Sequence, residues 1–541
     1  MSTSGRKRIA IFPALRLSAE QRLLDALAEI FPVEFTGEDE IGFESADAAI
    51  FFPEQAQRAK EAFERGVSSF AFQPSPAPSA TLTSTSAVSF SGDARIHPAF
   101  RNAQISPGGD TAASPLAPGS GDTVLASHDG AALWAFRASS GVEMHSAALP
   151  PPHLNSGELL WSHLQPGSWM RILPLLHFLR GVTAEIDWAA PAQRACFIFD
   201  DPNLHSRRYG YMDFAKLAGQ ASEHNYHVAL ATIPIDACYA APKAVELFQR
   251  HSRWLSLLIH GNDHVRNELS RDLDETEALR VVAQALARIA RFERRTGLNV
   301  ARVVAAPHGA CAEYMMAQML RFPLQGACIS VPSVLRWNLR TSWPASFGLQ
   351  PASIMAGGFP VVHRFNLRHG LLPARFAAFL GQPIVPYGHH QDCAAGLGRL
   401  AEIADAVNSW GPTEWCGFDA LFGGLCRTRR EGELLHVEVW GRHAEVEIPT
   451  GVSQVVLHSP EGGERECELV ASRNGAAPQA CPVGAPVAVA PASSVRLRIH
   501  SVDPVDLAIV GRRGFRLWPP LRRSLAIGRD RLLPIVRGAG A

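Results

Sequence analysis

The stretch RACFIFDDPNLH, residues 194–205, decides how the central part of the chain folds. Its apolar first half is typical of a strand that is buried on both faces of a sheet. The strand ends in two adjacent carboxylates, Asp200 and Asp201, which are followed by Pro202. Side chains alternate between faces within a strand, but at its end the chain can turn so that both carboxylates reach the same side. Two carboxylates in one confined place repel each other, and a cation relieves that repulsion.

Apolar runs of the same kind follow, and helical patterns separate many of them. They are HVALATIP (227–234), WLSLLIH (254–260), ARVVAAP (301–307), GACISV (326–331) and QPIVPY (382–387). Six or more strand–helix units in series predict an α/β domain over 190–425 that forms a closed or nearly closed β/α barrel. Polar residues follow several of the strands, and in such a barrel the strand ends share one mouth, where active sites form. The residues at these strand ends are Asp200, Asp201, His260, the pair Pro307 and His308, and the pair His389 and His390.

The segment HGNDH, residues 260–264, adds two histidines that are four residues apart. One helical turn or a tight loop places both imidazoles on the same side. Two neutral imidazoles and one carboxylate provide three protein ligands and leave a position for water, as in catalytic zinc sites. A histidine pair alone is weak evidence, but its position after a strand, beyond the Asp-Asp pair, favours a divalent-metal site.

Taken in order, FDD (199–201), HGNDH (260–264), APHGA (306–310) and a late histidine in IVPYGHHQD (384–392) resemble the polysaccharide deacetylases of carbohydrate esterase family four. The resemblance to this family, whose catalytic unit is the NodB-homology domain, covers roughly residues 190–420. It implies that Asp200 is the general base and that either His389 or His390 is the general acid. The implied ligands of one divalent ion are Asp201, His260 and His264. Zinc is the expected metal, with cobalt, nickel or manganese as alternatives.

Several residues depart from the family's motifs and indicate a divergent member. Ala305 stands where the family has an arginine that positions the base, so another arginine must orient Asp200. The candidates are Arg207, Arg208 and Arg266. His308 replaces an aromatic residue, and Pro202 replaces a glycine. We expect substrate contacts at the mouth from Pro307, His308, Phe359 and His363, although a core loop is the alternative for the segment that carries the last two.

The segments on either side of the central domain show other patterns. Residues 1–185 alternate strands and helices and predict an α/β layer domain of the flavodoxin or amidotransferase type, with a Pro- and Ser-rich insert over 73–122. This domain has no Gly-x-Gly-x-x-Gly motif and no cysteine before Cys196, so we interpret it as structural or ligand-sensing. Residues 430–510 alternate polar and apolar residues and predict a small antiparallel β-sandwich.

The last segment, 511–541, is a basic tail. Eight arginines and one aspartate lie between residues 511 and 537. We interpret the tail as a helix that docks on the core with a solvated basic face. Contact with a membrane surface or an acidic partner is the alternative.

Composition excludes several classes of protein. The chain has 51 Lys and Arg against 51 Asp and Glu, which gives no reason to expect a nucleic-acid partner. Its nine cysteines include no Cys-x-x-Cys pair, and we expect reduced, buried thiols. We find neither a membrane-spanning run nor an export signal, so we expect a cytoplasmic protein.

The leading hypothesis is therefore a metal-dependent hydrolase that deacetylates an N-acetylated sugar in a polysaccharide or its precursor. A second hypothesis is another amide or glycosidic hydrolase on a related barrel, although a glycosidase needs two carboxylates on either side of the bond. A third is a degenerate member of the family that binds glycan within a polysaccharide biosynthesis complex. Metal content and turnover distinguish the third hypothesis from the other two.

Overall fold

In the computed structural model the chain forms two compact units. The first comprises residues 1–188 and 342–350, and the second comprises residues 189–341 and 351–541. The residues that the structure describes are 5–73, 80–83, 85–109, 111–460, 467–471, 479–500, 503–507 and a few positions between 517 and 529. Most of the predicted basic tail and part of the Pro- and Ser-rich insert thus lie outside the described residues. No helix in the described ranges is long and apolar enough to cross a membrane.

The first unit contains both helices and strands. Its strands are β1 (Lys7–Phe12), β2 (Val33–Gly37), β3 (Ala48–Phe51), β4 (Ser68–Phe72), β5 (Ala80–Leu82), β6 (Val88–Phe90), β7 (Gln104–Ile105), β8 (Thr111–Ala113), β9 (Thr123–His128), β10 (Ala131–Ser139) and β11 (Val142–Ala147). Its α-helices are α1 (Leu15–Ala19), α2 (Gln21–Ile30), α3 (Arg58–Glu64) and α4 (Leu173–Thr183).

Nine of these strands form one mixed sheet in the order β2-β1-β3-β4-β11-β10-β9-β6-β7. The pairs from β2 to β11 are parallel, in agreement with the predicted α/β layer. The pairs from β11 to β7 are antiparallel and extend that layer. The chain turns between β9 and β10 at Asp129 and Gly130, whose φ angles of 50° and 81° suit a two-residue hairpin.

The second unit begins with the elements of the predicted catalytic domain. Its first strands are β12 (Gln193–Ala195), β13 (Phe197–Asp200), β14 (Arg208–Tyr209), β15 (Met212–Asp213), β16 (Val228–Thr232), β17 (Leu255–Ile259), β18 (Ala301–Ala305), β19 (Gly326–Cys328), β20 (Ser353–Met355), β21 (Phe359–Val362), β22 (Phe365–Asn366), β23 (Pro386–Gly388) and β24 (Thr413–Trp415). Its α-helices are α5 (Phe214–Glu223), α6 (Pro242–Arg250), α7 (Glu275–Thr296), α8 (Glu313–Leu320), α9 (Val331–Trp337), α10 (Leu372–Phe379), α11 (Gly398–Ser409) and α12 (Phe418–Gly423).

The main sheet of this unit has the strand order β20-β21-β19-β18-β17-β16-β13-β23-β22. Every neighbouring pair is parallel except β20 with β21. Each apolar run that was predicted as a buried strand contributes to this sheet. The pairings found among the described residues leave β20 and β22 at its two edges, so the closed barrel stays a prediction while the parallel α/β architecture is confirmed.

The core inside this sheet explains why polar side chains meet at one end of it. Ile198, Leu258 and Val362 belong to one buried cluster. Because strand side chains alternate with a period of two, the residues two positions later point the same way. These residues are Asp200, His260 and Arg364, which lie at or just beyond the carboxyl ends of their parallel strands.

The end of the second unit forms two further sheets. Their strands are β25 (Cys426–Glu431), β26 (Leu434–Val439), β27 (His443–Glu447), β28 (Gln454–His458), β29 (Cys467–Ala471), β30 (Gln479–Ala480), β31 (Pro486–Ala488) and β32 (Ser494–Ile499). The orders are β25-β26-β28-β31 and β27-β32-β29-β30. Val437 and Leu457 from one sheet share a core with Val446 and Leu497 from the other, as in a β-sandwich. One pair, β26 with β28, is parallel and differs from the predicted antiparallel pattern.

The cysteines agree with the expected reduced thiols wherever they are described. Seven are free and buried, and they are Cys196, Cys311, Cys328, Cys393, Cys416, Cys426 and Cys481.

Candidate metal centre

Asp201, His260 and His264 converge at the carboxyl end of the main sheet. Oδ1 of Asp201 lies 3.1 Å from Nε2 of His264 and 3.6 Å from Nε2 of His260. One ligand atom from each of the three residues lies within 4.8 Å of the other two. In the described part of the chain no other cluster of His, Cys, Asp and Glu meets this criterion. The structure thus assembles the three residues that the sequence predicted as ligands.

The backbone at two of the ligands has an uncommon conformation. The φ angles are 79° at Asp201 and 52° at His264, both in the left-handed region that residues with a side chain rarely adopt. At Asp201 this turn takes the chain out of β13 directly after Asp200 and lets the second carboxylate reach the histidines. Such strained residues persist where the surrounding structure holds them in place, often at functional sites.

Hydrogen bonding fixes the orientation of His260. Its Nδ1 lies 2.9 Å from the carbonyl oxygen of Ala305 and donates a proton to it. In the neutral ring the lone pair is then on Nε2, which faces the carboxylate of Asp201. A lone pair and a carboxylate oxygen that face each other require a proton or a cation between them. The set of one carboxylate and two imidazoles therefore fits a divalent ion of the zinc type.

The carboxylate of Asp201 is ionised. Burial by itself raises its pKa, but the two imidazoles beside it, those of His260 and His264, outweigh burial and leave the pKa well below its usual range. An ionised carboxylate is the form that binds a metal ion.

Asp200 is held by Arg364, which the sequence did not single out. Its Nη1 donates to Oδ1 of Asp200 and its Nη2 donates to Oδ2, both at 2.8 Å. Both side chains are buried. Burial raises the pKa of Asp200, but the charges of Arg364 and then His260 outweigh it, so that the pKa lies below its usual value. Arg364 thus orients Asp200 beside the candidate metal centre and favours its ionised form.

The arginines that the sequence offered for this role were the wrong choice. Arg208 pairs with Asp213 at 3.0 Å. None of the ion pairs within the described residues joins Arg207 or Arg266 to Asp200. Arg364 is 164 positions from Asp200 along the chain, and only the strand order places the two side chains opposite each other.

The two late histidines have different environments. His389 is partly exposed, and its charge is one of those that lower the pKa of Asp200. His390 is 2% exposed and lies 5.2 Å from the ring of Tyr209 and 5.8 Å from that of Tyr211. A side chain at Gly210 would place its Cβ 2.1 Å from Nδ1 of His390, so this loop closes tightly over the ring.

The residues predicted to contact substrate also differ in their exposure. His308 is exposed, and its ring lies 4.9 Å from that of His264. Pro307 is buried beside Gly261. Phe359 is 0% exposed, so its predicted contact with substrate is wrong, because a ring within the core has no face to offer a sugar.

His363 follows the core-loop alternative. Its Nε2 bonds to Oγ of Ser353 at 2.7 Å, and its Nδ1 donates to the carbonyl of Ile329 at 3.1 Å. Burial lowers its pKa to about 4. A contact between His363 and substrate stays a prediction.

Glu268 also lies at the site, and sequence reasoning missed it. Its carboxylate accepts hydrogen bonds from the backbone of Asn262, Asp263 and His264. A lone glutamate after a polar loop carries no sequence signal for such a role.

The chain is similar in structure to several solved proteins. Neither a protein-family model nor a curated protein matches the sequence. The crystal structure of Agd3, a carbohydrate deacetylase, is similar over 91% of this chain and 98% of its own, with a TM-score of 0.50 and 9% sequence identity. A putative polysaccharide deacetylase from Mycobacterium smegmatis matches 43% of this chain and 93% of its own, with a TM-score of 0.30 and 12% identity. A CE4 esterase from Streptococcus mutans matches 43% of this chain and 93% of its own, with a TM-score of 0.24 and 14% identity.

The similarity to Agd3 establishes the class of fold. The fold of this chain is similar to that of Agd3 over 91% of the residues of this chain. The resemblance inferred from the motifs is thereby confirmed at the level of the fold, and the low identity agrees with a divergent member.

Proposed function

We propose that the protein is a metal-dependent hydrolase that removes the acetyl group from an N-acetylated sugar in a polysaccharide or its precursor. The observation that carries the proposal is the convergence of Asp201, His260 and His264 beside a second carboxylate that Arg364 keeps ionised. One ligand set and one free base are the parts that amide hydrolysis at a metal requires.

In this proposal Asp201, His260 and His264 hold one divalent ion, with zinc preferred and cobalt, nickel or manganese as alternatives. When bound, such an ion acts as a Lewis acid for an amide carbonyl and makes water more acidic. His308, at the exposed side of His264, contacts the sugar. The barrel-type mouth formed by the strand ends accepts the substrate.

The proton transfers are assigned to the chain's own residues. Asp200 takes a proton from the attacking water as the new C–O bond forms. His389 gives a proton to the nitrogen as the C–N bond breaks, which releases acetate and the free amine. His389 is preferred over His390 because it is partly exposed and close enough to Asp200 to affect its pKa.

The test combines metal analysis with acetate release from a panel of N-acetylated sugars. We expect about one divalent ion per chain. His264→Ala should lose the metal, whereas Asp200→Asn should keep the metal and lose turnover by roughly 100-fold or more, the typical contribution of a general base. Asp213→Asn, which alters a carboxylate at the start of α5, is the control and should keep both.

Each failure points to a different conclusion. Full activity of Asp200→Asn would show that the base is assigned wrongly. A chain that takes up no zinc, cobalt or nickel would refute the metal centre. Bound metal without acetate release from any sugar would favour a glycan-binding protein over an enzyme.

A further inference from the structure

A buried glutamate lies behind the loop that joins the two histidine ligands. Glu268 is 3% exposed. Its Oε1 accepts hydrogen bonds from the backbone N–H groups of Asn262 at 2.6 Å and His264 at 3.0 Å, and its Oε2 accepts one from Asp263 at 3.0 Å. Three consecutive backbone donors thus point at one carboxylate. Hydrogen bonds to an ionised acceptor are stronger than those between neutral groups.

The start of the loop is shaped to admit this carboxylate. Gly261 has a φ of 64°, and a Cβ built on it would lie 2.4 Å from Oε1 of Glu268 and 2.5 Å from Cγ of Pro307. Any side chain at this position would displace the carboxylate or the proline. The glycine is therefore required for the approach of Glu268 to the backbone.

The side chains of the same loop are fixed from α7. Arg288 donates to Oδ1 of Asn262 and to Oδ1 of Asp263, both at 2.6 Å. The side-chain amide of Asn262 donates to Oε1 of Gln284 at 2.9 Å. These contacts orient the two central residues of the loop, but they do not reach the backbone of His264. The backbone N–H of His264 donates to the carboxylate of Glu268 instead.

We propose that Glu268 is a positioning residue that holds residues 261–264 in the conformation in which His264 meets Asp201. His264 has a strained φ of 52°, and a chain without the three bonds to Glu268 would relax from it and carry the imidazole away from Asp201. Glu268 then sets the affinity of the site for metal without being a ligand. This inference rests on the proposed metal centre.

The first experiment measures zinc affinity of the metal-free, full-length chain by competition with a chromophoric chelator. Glu268→Gln keeps the shape of the side chain but turns one acceptor into a donor that faces the loop. Since outer partners of metal ligands typically contribute 10- to 100-fold to affinity, we expect zinc to bind about 10-fold more weakly to Glu268→Gln and about 100-fold more weakly to Glu268→Ala.

The matched control is Glu293→Gln on α7. Glu293 is a partly buried carboxylate that also accepts from a backbone N–H, that of Val300 at 3.0 Å, and it pairs with Arg302 at 2.6 Å. Its loss should lower stability but leave zinc affinity unchanged. Equal loss of zinc affinity in both variants would overturn the proposal, because a general loss of stability would then explain the effect.

The second experiment does not depend on metal. Amide hydrogen exchange of residues 261–264 in the metal-free chain should be at least about 10-fold faster in Glu268→Gln than in the wild type, because the donors lose a charged acceptor. Unchanged exchange and unchanged zinc affinity would refute the role of Glu268. If the wild type binds no zinc, the proposed function fails, and faster exchange would still support the positioning of the loop by Glu268.

Discussion

The carboxylate of Asp200 is surrounded by groups that carry or can acquire positive charge. Arg364 forms two hydrogen bonds with it, and His260 and His389 contribute charge from nearby. A buried carboxylate without such partners would take up a proton and could no longer act as a base at neutral pH. The arginine that contacts Asp200 thus comes from just beyond the end of β21.

Arg364→Met should therefore impair both catalysis and stability. The buried charge of Asp200 would lose its partner, which typically costs about 3–5 kcal/mol of unfolding free energy. Turnover should fall by about 100-fold or more because the base loses its orientation and ionised state. Urea unfolding and acetate release measure the two effects, and metal content should stay the same.

Arg208→Met is the control for this prediction. Arg208 forms an exposed pair with Asp213, and such pairs contribute about 1 kcal/mol or less. An Arg364→Met chain that is as active as this control would show that Asp200 does not depend on Arg364.

The two late histidines provide a second prediction for single residues. His389→Ala should reduce turnover by about 100- to 10,000-fold, the range of a lost general acid, with little effect on stability. His390→Ala should instead lower stability, since it leaves a cavity beneath Tyr209 and Tyr211. Acetate release and thermal unfolding of both variants distinguish the roles, and the reverse result would assign the acid to His390.

Among the elements, α4 carries a histidine that makes the first unit sensitive to acid. His177 is 7% exposed, donates from Nδ1 to the carbonyl of Leu173 at 3.0 Å and accepts at Nε2 from the backbone of His97 at 3.1 Å. Burial is the main cause that lowers its pKa to about 3. The folded chain thus keeps this ring neutral at a pH where the unfolded chain protonates it.

The sign of the pH dependence follows from this difference. Above the unfolded pKa of about 6.5 the histidine is neutral in both states and does not change the free energy of unfolding. As the pH falls from there towards 3, the unfolded state binds a proton that the folded state does not. Stability should then fall by up to about 1.4 kcal/mol per pH unit. Calorimetric unfolding between pH 7.5 and 5 should show a weaker pH dependence for His177→Gln. Equal slopes in the two proteins would contradict the prediction.

At the level of the whole molecule, the sheet and the β-sandwich of the second unit share contacts. Arg442 is 9% exposed and donates to the carbonyl oxygens of Phe322 at 2.7 Å and Leu324 at 2.5 Å. Trp440 from the same turn belongs to the core of the main sheet. These two sheets are therefore built against the main sheet of the second unit and do not stand alone on a linker.

Arg442→Ala should destabilise the second unit as a whole. Two buried carbonyl groups would lose their donor, at a cost of about 1–3 kcal/mol each. We expect a lower unfolding temperature and faster proteolysis near residue 440, with zinc content unchanged. Arg498→Ala, an exposed arginine on β32, is the control and should behave like the wild type. An unchanged unfolding temperature in Arg442→Ala would show that this contact contributes nothing.

The sequence by itself determined the strands of the main sheet of the second unit and pointed to the three residues that converge in the candidate metal centre. Long apolar runs cannot avoid burial, and a polar residue directly after such a run must emerge at the end of the sheet. Asp201 and His260 were identifiable for this reason, whereas His264 was expected from its spacing of four residues from His260 and from the family resemblance. The β-sandwich was identifiable because its exposed and buried residues alternate along each strand.

Only the tertiary structure decided which distant residues complete the site. Arg364 reaches Asp200 across 164 positions of the chain, and Glu268 acts through backbone groups, which have no sequence signature. It also showed that Phe359 is a core residue, that residues 342–350 belong to the first unit, and that the first sheet continues in antiparallel strands. Hydrophobic pattern determines whether a segment is buried, whereas strand order and register determine its neighbours, and local spacing does not encode them.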